Sequence, residues 1–501
     1  MSYRINLLAA SIALLAATAA ADAFSGNPPQ TRERDPVAPA AQATLQGRLE
    51  LTWGDAHPGA KAPHRLEVTL IDDAGRRHAL APDRAIKAAS DLYSLAGRRV
   101  AMTLAPQVRQ SGRAQSAMTP EVIVADAIVA IDDLAADASQ GGRSQTKAGD
   151  IAARVAGTTV WATLMCKFRD IATEQKARSF FQGQYGNSAG QLDHYWRQVS
   201  YNQINLTGST AYGWFTLPQA RSYYVTTGTD GKPKADLGKL FTDCTAVANA
   251  SVNFAVNGGL QGINMMFNGD LDGYAWGGGR CATLDGVNKC WSTTWNPPWS
   301  FNNLAPLAHE MGHAYGLPHA NNSDNDGDTY DNPWDVMSDA WDNAVSNPTY
   351  GSLPKHLNVY SRDRLAWIAA ARKRTILHTS AVQRFTLDRA SLAGSTNTQM
   401  VVLPVPGSTT RYYTIEARKR IGAYEANLAG DAVIVHSVDT TRASPAWSMD
   451  ASVPPATVSN NEGSMFKVGE TWNSPEPTGQ RFRMKVIGAT TEGFTVEVAP
   501  I

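Results

Sequence analysis

Three histidines and one glutamate within eleven positions form the chemically most distinctive group of the chain. His309 and His313 in HEMGHAYGLPH are four residues apart, so on a helix they lie on one face, about one turn apart. Two imidazole nitrogens at that spacing can bind one metal ion. Glu310 is offset by one residue and can take a proton from an activated water. Gly316 permits a sharp turn, after which His319 can return as a third ligand.

This ligand set predicts a catalytic metal site. Three protein nitrogens leave one position of a tetrahedral zinc ion open, whereas structural zinc sites are closed by four protein ligands. A buried core histidine explains any one of these residues, but not all three in register with Glu310 and Gly316. By chance, the five fixed positions are expected in roughly one in ten thousand chains of this size. We therefore predict a zinc site with Glu310 as general base and His309, His313 and His319 as ligands.

The segment before these residues, WNPPWSFNNLAPLAHEMGHAYG, predicts the helix that positions them. Asn302 or Asn303 can cap its first turn, where Pro306 is tolerated, and Gly316 can end it. Three tryptophans precede this helix, and they suit either core packing or the wall of a substrate cleft. The tryptophans are Trp291, Trp295 and Trp299.

An acidic segment after His319 is a second candidate metal site. Asp324, Asp326, Asp328 and Asp331 offer clustered oxygen ligands for calcium, and the sequence resembles the first half of an EF-hand loop. The twelfth position is Pro333 instead of Glu, so the segment is not an EF-hand. The alternative is a solvated turn, which is the usual role of Asp and Asn runs.

The motif HEMGHAYGLPH resembles HExxHxxGxxH of the metzincin zinc proteases. In that family a methionine turn forms a hydrophobic floor under the metal, and Met337 in NPWDVMSDA, 18 residues after His319, stands where the turn is expected. The alternative for Met337 is an ordinary core methionine. Astacins and serralysins carry a tyrosine two residues after this methionine, but here that position is Asp339.

The resemblance narrows to gametolysin-like and immune-inhibitor-A-like secreted metalloproteases, over roughly residues 157 to 440. The segments that carry it are YDNPWDVMSD, HYWRQVSYNQINLTGSTAYGWFTLP and RYYTIEARKRIGAYEANLAGDAVIVHSVD. It implies hydrolysis of peptide bonds, with His309, His313 and His319 holding zinc and Glu310 as base. It also implies an α/β (α+β) catalytic domain with a mixed sheet and an active-site helix.

The first residues have the form of a cleaved signal peptide, with Arg4, an apolar stretch and an Ala-Asp-Ala site ending at Ala23; the alternative is a membrane anchor. Export to an extracellular or periplasmic space makes disulfides the natural state of the four cysteines. Three pairings are possible. Closeness in sequence favours Cys281 with Cys290, which leaves Cys166 with Cys244, and free thiols are the alternative.

Changes in residue pattern divide the chain into four parts. Residues 1–23 are the signal peptide, 24–150 a linker and β-rich domain, 151–374 the catalytic domain, and 375–501 a β-sandwich-like domain. The pattern predicts strands mixed with helices in the catalytic domain and all-β structure in the N-terminal and C-terminal domains that flank it. Segment 24–150 is either a propeptide, removed at a linker over 138–150, or a permanent domain. No cysteine precedes Cys166, so a propeptide would have to block zinc with another group, such as an acidic side chain.

Composition limits the classes of partner. Lys plus Arg equals Asp plus Glu at 45 each in 501 residues, so no broad electrostatic attraction to nucleic acid or anionic membranes is expected. We expect protein or peptide substrates, no nucleic acid, no stable membrane insertion and a monomer. A second hypothesis is an inactive zinc-binding adhesion module. The basic stretch at residues 416–420 is expected to be a solvated strand edge.

Overall fold

The computed structural model describes residues 44–58, 60, 62–105, 122–131, 155–256, 259–324, 326, 328–452 and 462–501. The predicted signal peptide and the predicted linker over 138–150 lie outside these residues. These described residues belong to one compact unit. None of the described helices has the length and apolar character needed to cross a membrane.

The N-terminal region, meaning the described residues between 44 and 131, contains the strands that alternation of apolar and polar residues predicts. It also contains one short helix and a 3-10 turn, so it is not purely β as expected. Its elements are β1 Thr44–Ala56, β2 Arg65–Asp72, β3 Arg77–Leu80, α1 Pro82–Ala88, the 3-10 turn Leu92–Leu95, β4 Arg99–Leu104 and β5 Ala125–Ala130.

The central part of the chain mixes strands with helices, as its sequence pattern predicts. Its strands are β6 Gly157–Thr158, β7 Trp161–Lys167, β8 Ile204–Asn205, β9 Thr210–Thr216, β10 Val225–Thr227, β11 Pro233–Ala235, β12 Gly262–Phe267, β13 Tyr274–Leu284, β14 Val287–Asn296, β15 Ala320–Asn322, β16 Ser346–Asn347 and β17 Gly351–Ser352. Its helices are α2 Arg178–Gln184, α3 Leu192–Val199, α4 Arg221–Tyr224, α5 Leu237–Ala248, α6 Pro298–Phe301, α7 Leu304–Ala314, α8 Val359–Arg364 and the 3-10 turn Ala370–Arg372.

The C-terminal part is built from strands, as predicted. They are β18 Lys373–Thr375, β19 Gln383–Asp388, β20 Met400–Pro404, β21 Arg411–Arg418, β22 Ala432–Asp439, β23 Ala446–Ser448, β24 Thr471–Asn473, β25 Phe482–Ala489 and β26 Gly493–Pro500, with a 3-10 turn Glu462–Ser464. One sheet has the order β15-β23-β22-β21-β20-β18 and the other β19-β26-β25-β24. Residues of both sheets share one apolar core, which is the arrangement of a β-sandwich.

One ten-stranded sheet joins the N-terminal region to the central part. Its order is β3-β2-β1-β13-β14-β12-β7-β9, with β4 beside β1 and β5 beside β4. Strands β7, β9, β12 and β14 are parallel, whereas β13 is antiparallel to β14, so the sheet is mixed as expected. On one side β1 pairs with β2 over residues 47–54. On its other side residues 44–48 pair with β4 and residues 52–56 pair antiparallel with β13. The N-terminal region is therefore hydrogen-bonded into the central sheet.

The disulfides form as predicted. Cys166–Cys244 ties β7 to α5 across the core, and Cys281–Cys290 joins facing residues of β13 and β14. Disulfides of this kind belong to oxidising compartments.

Candidate metal centre

Helix α7 places the first part of the site. It begins after Asn303, and its first amide donates to the Tyr350 carbonyl at 2.9 Å. Asn303 stands at the predicted cap position, but its side chain accepts a hydrogen bond from the Ser352 amide and makes none to the helix. The helix ends at Tyr315, and Gly316 has φ +90°, the left-handed turn predicted from the sequence.

The three predicted histidine ligands meet at one point. The Nε2 atoms of His309, His313 and His319 lie 3.0 Å, 3.1 Å and 3.4 Å from one another. A tetrahedral zinc ion with Zn–N bonds of 2.0–2.1 Å has ligand-to-ligand edges of about 3.3 Å. All three histidines are buried. The nitrogens therefore fit three corners of a tetrahedral metal site.

The fourth corner is occupied by Asp55, the penultimate residue of β1. Its carboxylate oxygens lie 2.7 Å from Nε2 of His319, 3.3 Å from that of His309 and 3.2 Å from that of His313. Asp55 is paired with Ala275 of β13 and is buried. The four side chains form one group able to hold a metal ion, closed by a residue from the N-terminal region.

Backbone carbonyls fix the orientation of two imidazoles. Nδ1 of His309 lies 2.6 Å from the Val336 carbonyl, and Nδ1 of His313 lies 2.7 Å from the Leu317 carbonyl. An Nδ1–H that donates to a carbonyl leaves Nε2 as the free lone pair, which is the tautomer that a metal requires. Trp53 stacks on His313, with ring centroids 4.8 Å apart.

Met337 packs beneath helix α7. A Cβ added at Gly312, between the two helical histidines, would collide with the Met337 sulfur. The turn that carries Met337 is held by Asp335, whose carboxylate accepts the Met337 amide at 2.8 Å and the Asn358 amide at 3.2 Å. Met337 thus contacts helix α7 at Gly312, the residue before His313.

The C-terminal sandwich supports the same turn. Arg418 of β21 donates to the Trp334 carbonyl at 2.5 Å and pairs with Glu425. Glu416 accepts the amide of Val359, the first residue of α8, at 3.1 Å. Glu416 and Arg418 are fully buried. The expectation of a solvated strand edge over 416–420 is therefore wrong for these residues, because β21 is an interior strand of its sheet.

Glu310 lies beside the histidines, against β13. A Cβ added at Gly277 would collide with the backbone carbonyl oxygen of Glu310 and lie 2.8 Å from its Oε2, so glycine at 277 lets β13 approach helix α7 closely at Glu310. Glu310 is buried, and Oε2 has no hydrogen-bond partner. A buried carboxylate oxygen without a partner is available to take a proton from a reactant.

Burial and Asp55 together set the charges of the site. Burial raises the pKa of Glu310 well above its ordinary value, and the negative charge of Asp55 adds to the effect. Burial lowers the pKa of His313 and of His319. Burial also lowers the pKa of His309, but Asp55, the Val336 carbonyl and Asp335 together outweigh it, so the net shift of this pKa is upward. The same histidines hold the pKa of Asp55 well below its ordinary value despite burial.

A cavity of about 690 Å³ opens beside His309 and Glu310. Trp299, Trp341 and Ala340 form part of its wall, and Asp55 and Tyr330 face it from the metal side. Trp291 and Trp295 instead lie in the apolar core. The sequence left core packing and a cleft wall open for these three tryptophans. Trp299 lines the cavity, whereas Trp291 and Trp295 pack in the core.

Asp339, two residues after Met337, also lines this cavity, but its carboxylate is engaged. Lys355 donates to Asp339 Oδ2 at 2.5 Å, and both residues are buried. Asp339 therefore braces the cavity wall and offers no free group to the metal.

The acidic segment brings three of its four predicted ligands together. One carboxylate oxygen each of Asp324, Asp326 and Asp331 lies within 4.8 Å of the others, whereas Asp328 is not in the group. Asp331 is buried, and its Oδ2 has no hydrogen-bond partner. Burial, with the nearby aspartates, raises the pKa of Asp331 to about 7. The group can hold a metal ion.

Two side chains at the metal site were absent from the sequence prediction. Asp55 is 264 residues from His319, and Tyr330 donates to Asp55 Oδ1 at 2.7 Å. The only signal for Asp55 was an acidic residue at the end of a predicted strand, in TWGDAH. Nothing local in the sequence predicts that this strand joins β13.

Comparisons with known proteins give no identification. No protein-family model matches the chain, and no curated protein matches it.

Proposed function

We propose that the protein is a secreted zinc-dependent endopeptidase of the metzincin type. The observation that carries the proposal is the convergence of three imidazole nitrogens at tetrahedral spacing, beside the unpartnered buried carboxylate of Glu310. His309, His313 and His319 would hold zinc. A bound zinc ion supplies Lewis acidity, which acidifies water and polarises a carbonyl.

The residues of the chain account for the proton transfers. As the water oxygen bonds to the carbonyl carbon of a peptide, Glu310 takes one proton from the water. It then passes this proton to the amine nitrogen as the carbon–nitrogen bond breaks, and the other product is a carboxylic acid. The apolar wall near Trp299 and Trp341 suits side chains of a peptide substrate.

Glu310→Gln tests the catalytic part of the proposal. The variant keeps the size of the side chain and the histidine ligands but cannot accept a proton. After proteolytic removal of the N-terminal region from wild type and variant alike, we expect unchanged zinc content and a loss of casein hydrolysis of at least about 100-fold. Hydrolysis at the wild-type rate, by a variant shown to contain zinc, would rule Glu310 out as the base.

Because Asp55 fills the fourth corner, we propose that the full chain is a latent form. The N-terminal region would be the propeptide, and Asp55 the acidic group that blocks zinc. Its removal would open one metal position to substrate. Proteolytic cleavage in the predicted linker over 138–150 is the expected activating step. N-terminal sequencing of the secreted active form tests it, and an active form that still carries β1 would contradict it.

The same observation favours a second candidate. Four protein ligands are typical of a structural zinc site, and a permanently closed His₃Asp site would make the protein an inactive zinc-binding recognition module. Limited proteolysis distinguishes the two candidates. An endopeptidase gains casein hydrolysis when the N-terminal region is cut away and loses it with a zinc chelator, whereas the recognition module stays inactive throughout.

We also propose that Asp324, Asp326 and Asp331 bind calcium. Carboxylate oxygens are the ligands of hard cations, and the buried, unpartnered Oδ2 of Asp331 calls for a positive partner. The two disulfides and the pattern of the first 23 residues support export from the cell.

A further inference from the structure

Tyr330 places a hydroxyl group directly at the metal site. Its Oη donates to Asp55 Oδ1 at 2.7 Å, and this same carboxylate oxygen lies 2.7 Å from Nε2 of His319. The other oxygen, Oδ2, faces His309 and His313 and has no hydrogen-bond partner. Asp55 thus defines two oxygen positions at the histidine cluster. At the position of Oδ1, the phenol of Tyr330 provides a hydrogen-bond donor.

The chain holds Tyr330 in this place from several sides. Its amide donates to Asp328 Oδ1 at 2.9 Å, and its ring meets the ring of His319 at 79° with centroids 5.9 Å apart. The next residue toward the N-terminus, Thr329, is buried and its hydroxyl lies 3.0 Å from Nδ1 of His64. The contacts with Asp328 and His319 do not involve the N-terminal region, so they remain in place when a ligand replaces Asp55 and limit the reorganisation of the hydroxyl.

The Asp55 carboxylate resembles a reacting peptide group in two respects. It carries negative charge, and it presents two oxygens to the histidine nitrogens. Peptide hydrolysis places negative charge on the former carbonyl oxygen while the water oxygen bonds to the same carbon. A substrate that enters after Asp55 has left would therefore put one of these oxygens within reach of Tyr330.

We propose that Tyr330 is a catalytic residue that donates a hydrogen bond to the substrate's carbonyl oxygen as this oxygen becomes negative. The inference rests on the proposed endopeptidase function. Tyr330 keeps its proton throughout: the water proton goes to Glu310 and then to the leaving amine. The hydrogen-bond donor thus comes from the segment between His319 and Met337. The residue two positions after Met337, Asp339, accepts a hydrogen bond from Lys355 instead.

The first test measures binding without turnover. In the full chain carrying Asp55→Ala and loaded with cobalt, dimethylphosphinate serves as a small tetrahedral anion, and its binding is followed by visible absorption. Adding Tyr330→Phe should weaken this binding at least about 10-fold, with unchanged metal affinity. Equal phosphinate affinity with and without the Tyr330 hydroxyl would overturn the proposal.

Tyr224→Phe is the matched control. The Tyr224 hydroxyl also donates to an aspartate, Asp243, at 2.7 Å, and its side chain is buried in the central core. The control loses the same kind of hydrogen bond but should bind dimethylphosphinate like the parent. Thermal melting of both variants separates a loss of folding from a loss of the donor.

The second test uses the proteolytically activated chain. Tyr330→Phe should lower kcat for a peptide by about 10²–10³-fold, as removal of one oxyanion donor does, and leave KM within a few-fold. A raised KM with unchanged kcat would show that Tyr330 only binds substrate, and would refute the proposed role. If no variant, including the wild type, cleaves peptide, the endopeptidase proposal fails, while the phosphinate result still decides what the Tyr330 hydroxyl does.

Discussion

Replacing Asp55 by alanine tests whether its carboxylate closes the metal site. In the full chain this carboxylate is within 3.3 Å of all three histidine nitrogens and accepts the Tyr330 hydroxyl. Removing one partner of a buried pair of charged groups costs about 3–5 kcal/mol. A tenfold change in affinity corresponds to about 1.4 kcal/mol. The Asp55 carboxylate should therefore lower the affinity of the metal for a competing fourth ligand by about 10²–10³-fold.

The assay is binding of acetohydroxamic acid to the cobalt-loaded full chain, followed by visible absorption. This ligand is small enough to reach the metal while β1 stays paired with β13. We expect Asp55→Ala to bind it about 10²–10³-fold more tightly than the wild type does. Asp73→Ala is the control, since Asp73 lies in the same N-terminal region, is exposed and pairs with Arg99 far from the histidines.

Equal hydroxamate affinity in the wild type and Asp55→Ala would refute the reasoning, because the carboxylate would then not compete for the metal. A gain of similar size in Asp73→Ala would refute it as well. That result would assign the effect to general loosening of the N-terminal region.

Two further predictions concern stability. With zinc present throughout, a hundredfold excess of calcium over its Kd should raise Tm by about 3 °C. Asp331→Asn should lose this response and Asp328→Asn should keep it, so equal responses in all three proteins would contradict the assigned ligands. Burial, with Arg418 nearby, lowers the pKa of His436 to about 3, so its contribution to stability is present above pH 6.5 and is lost as the pH falls from there toward 3. The variant His436→Asn removes the titrating imidazole but keeps the groups that face it, Asn332, Glu416 and Arg418. It should therefore reduce the pH slope of the free energy of unfolding between pH 4 and 6 by about 1.4 kcal/mol per pH unit. Urea unfolding at several pH values measures this slope, and parallel slopes for the two proteins would exclude His436 as the titrating group.

The local parts of the site could be predicted because their geometry depends on short stretches of chain. The spacing of His309 and His313 and the turn at Gly316 follow from helix and turn geometry. The pairing of Cys281 with Cys290 follows from their closeness in sequence. The strands of the N-terminal region also follow from alternation, whereas the mixed central sheet was expected only from the family resemblance.

The remaining parts depend on contacts between distant segments. Asp55 reaches the histidines because β1 pairs with β13, and Arg418 supports the Met337 turn because β21 is an interior strand. Periodicity predicts that such strands exist but not which strands they join. The buried state of Glu416 and Arg418 was missed for this reason, since two charged residues in one strand are typical of a surface until their partners are known.

Strand β1 pairs with β2 on one side and with β13 on the other, and this affects when the N-terminal region could be removed. Residues Thr52–Ala56 satisfy the backbone groups of β13 next to Gly277 and Gly278, where no side chain shields the strand. If the N-terminal region leaves, this edge is exposed and becomes a template for any extended chain, whether a substrate or another copy of the protein. A chain that folds with β1 in place completes its sheet before the edge is ever exposed. In the proposed latent form, the N-terminal region would thus complete the sheet during folding as well as close the metal site, and its removal would be safe only after folding is complete.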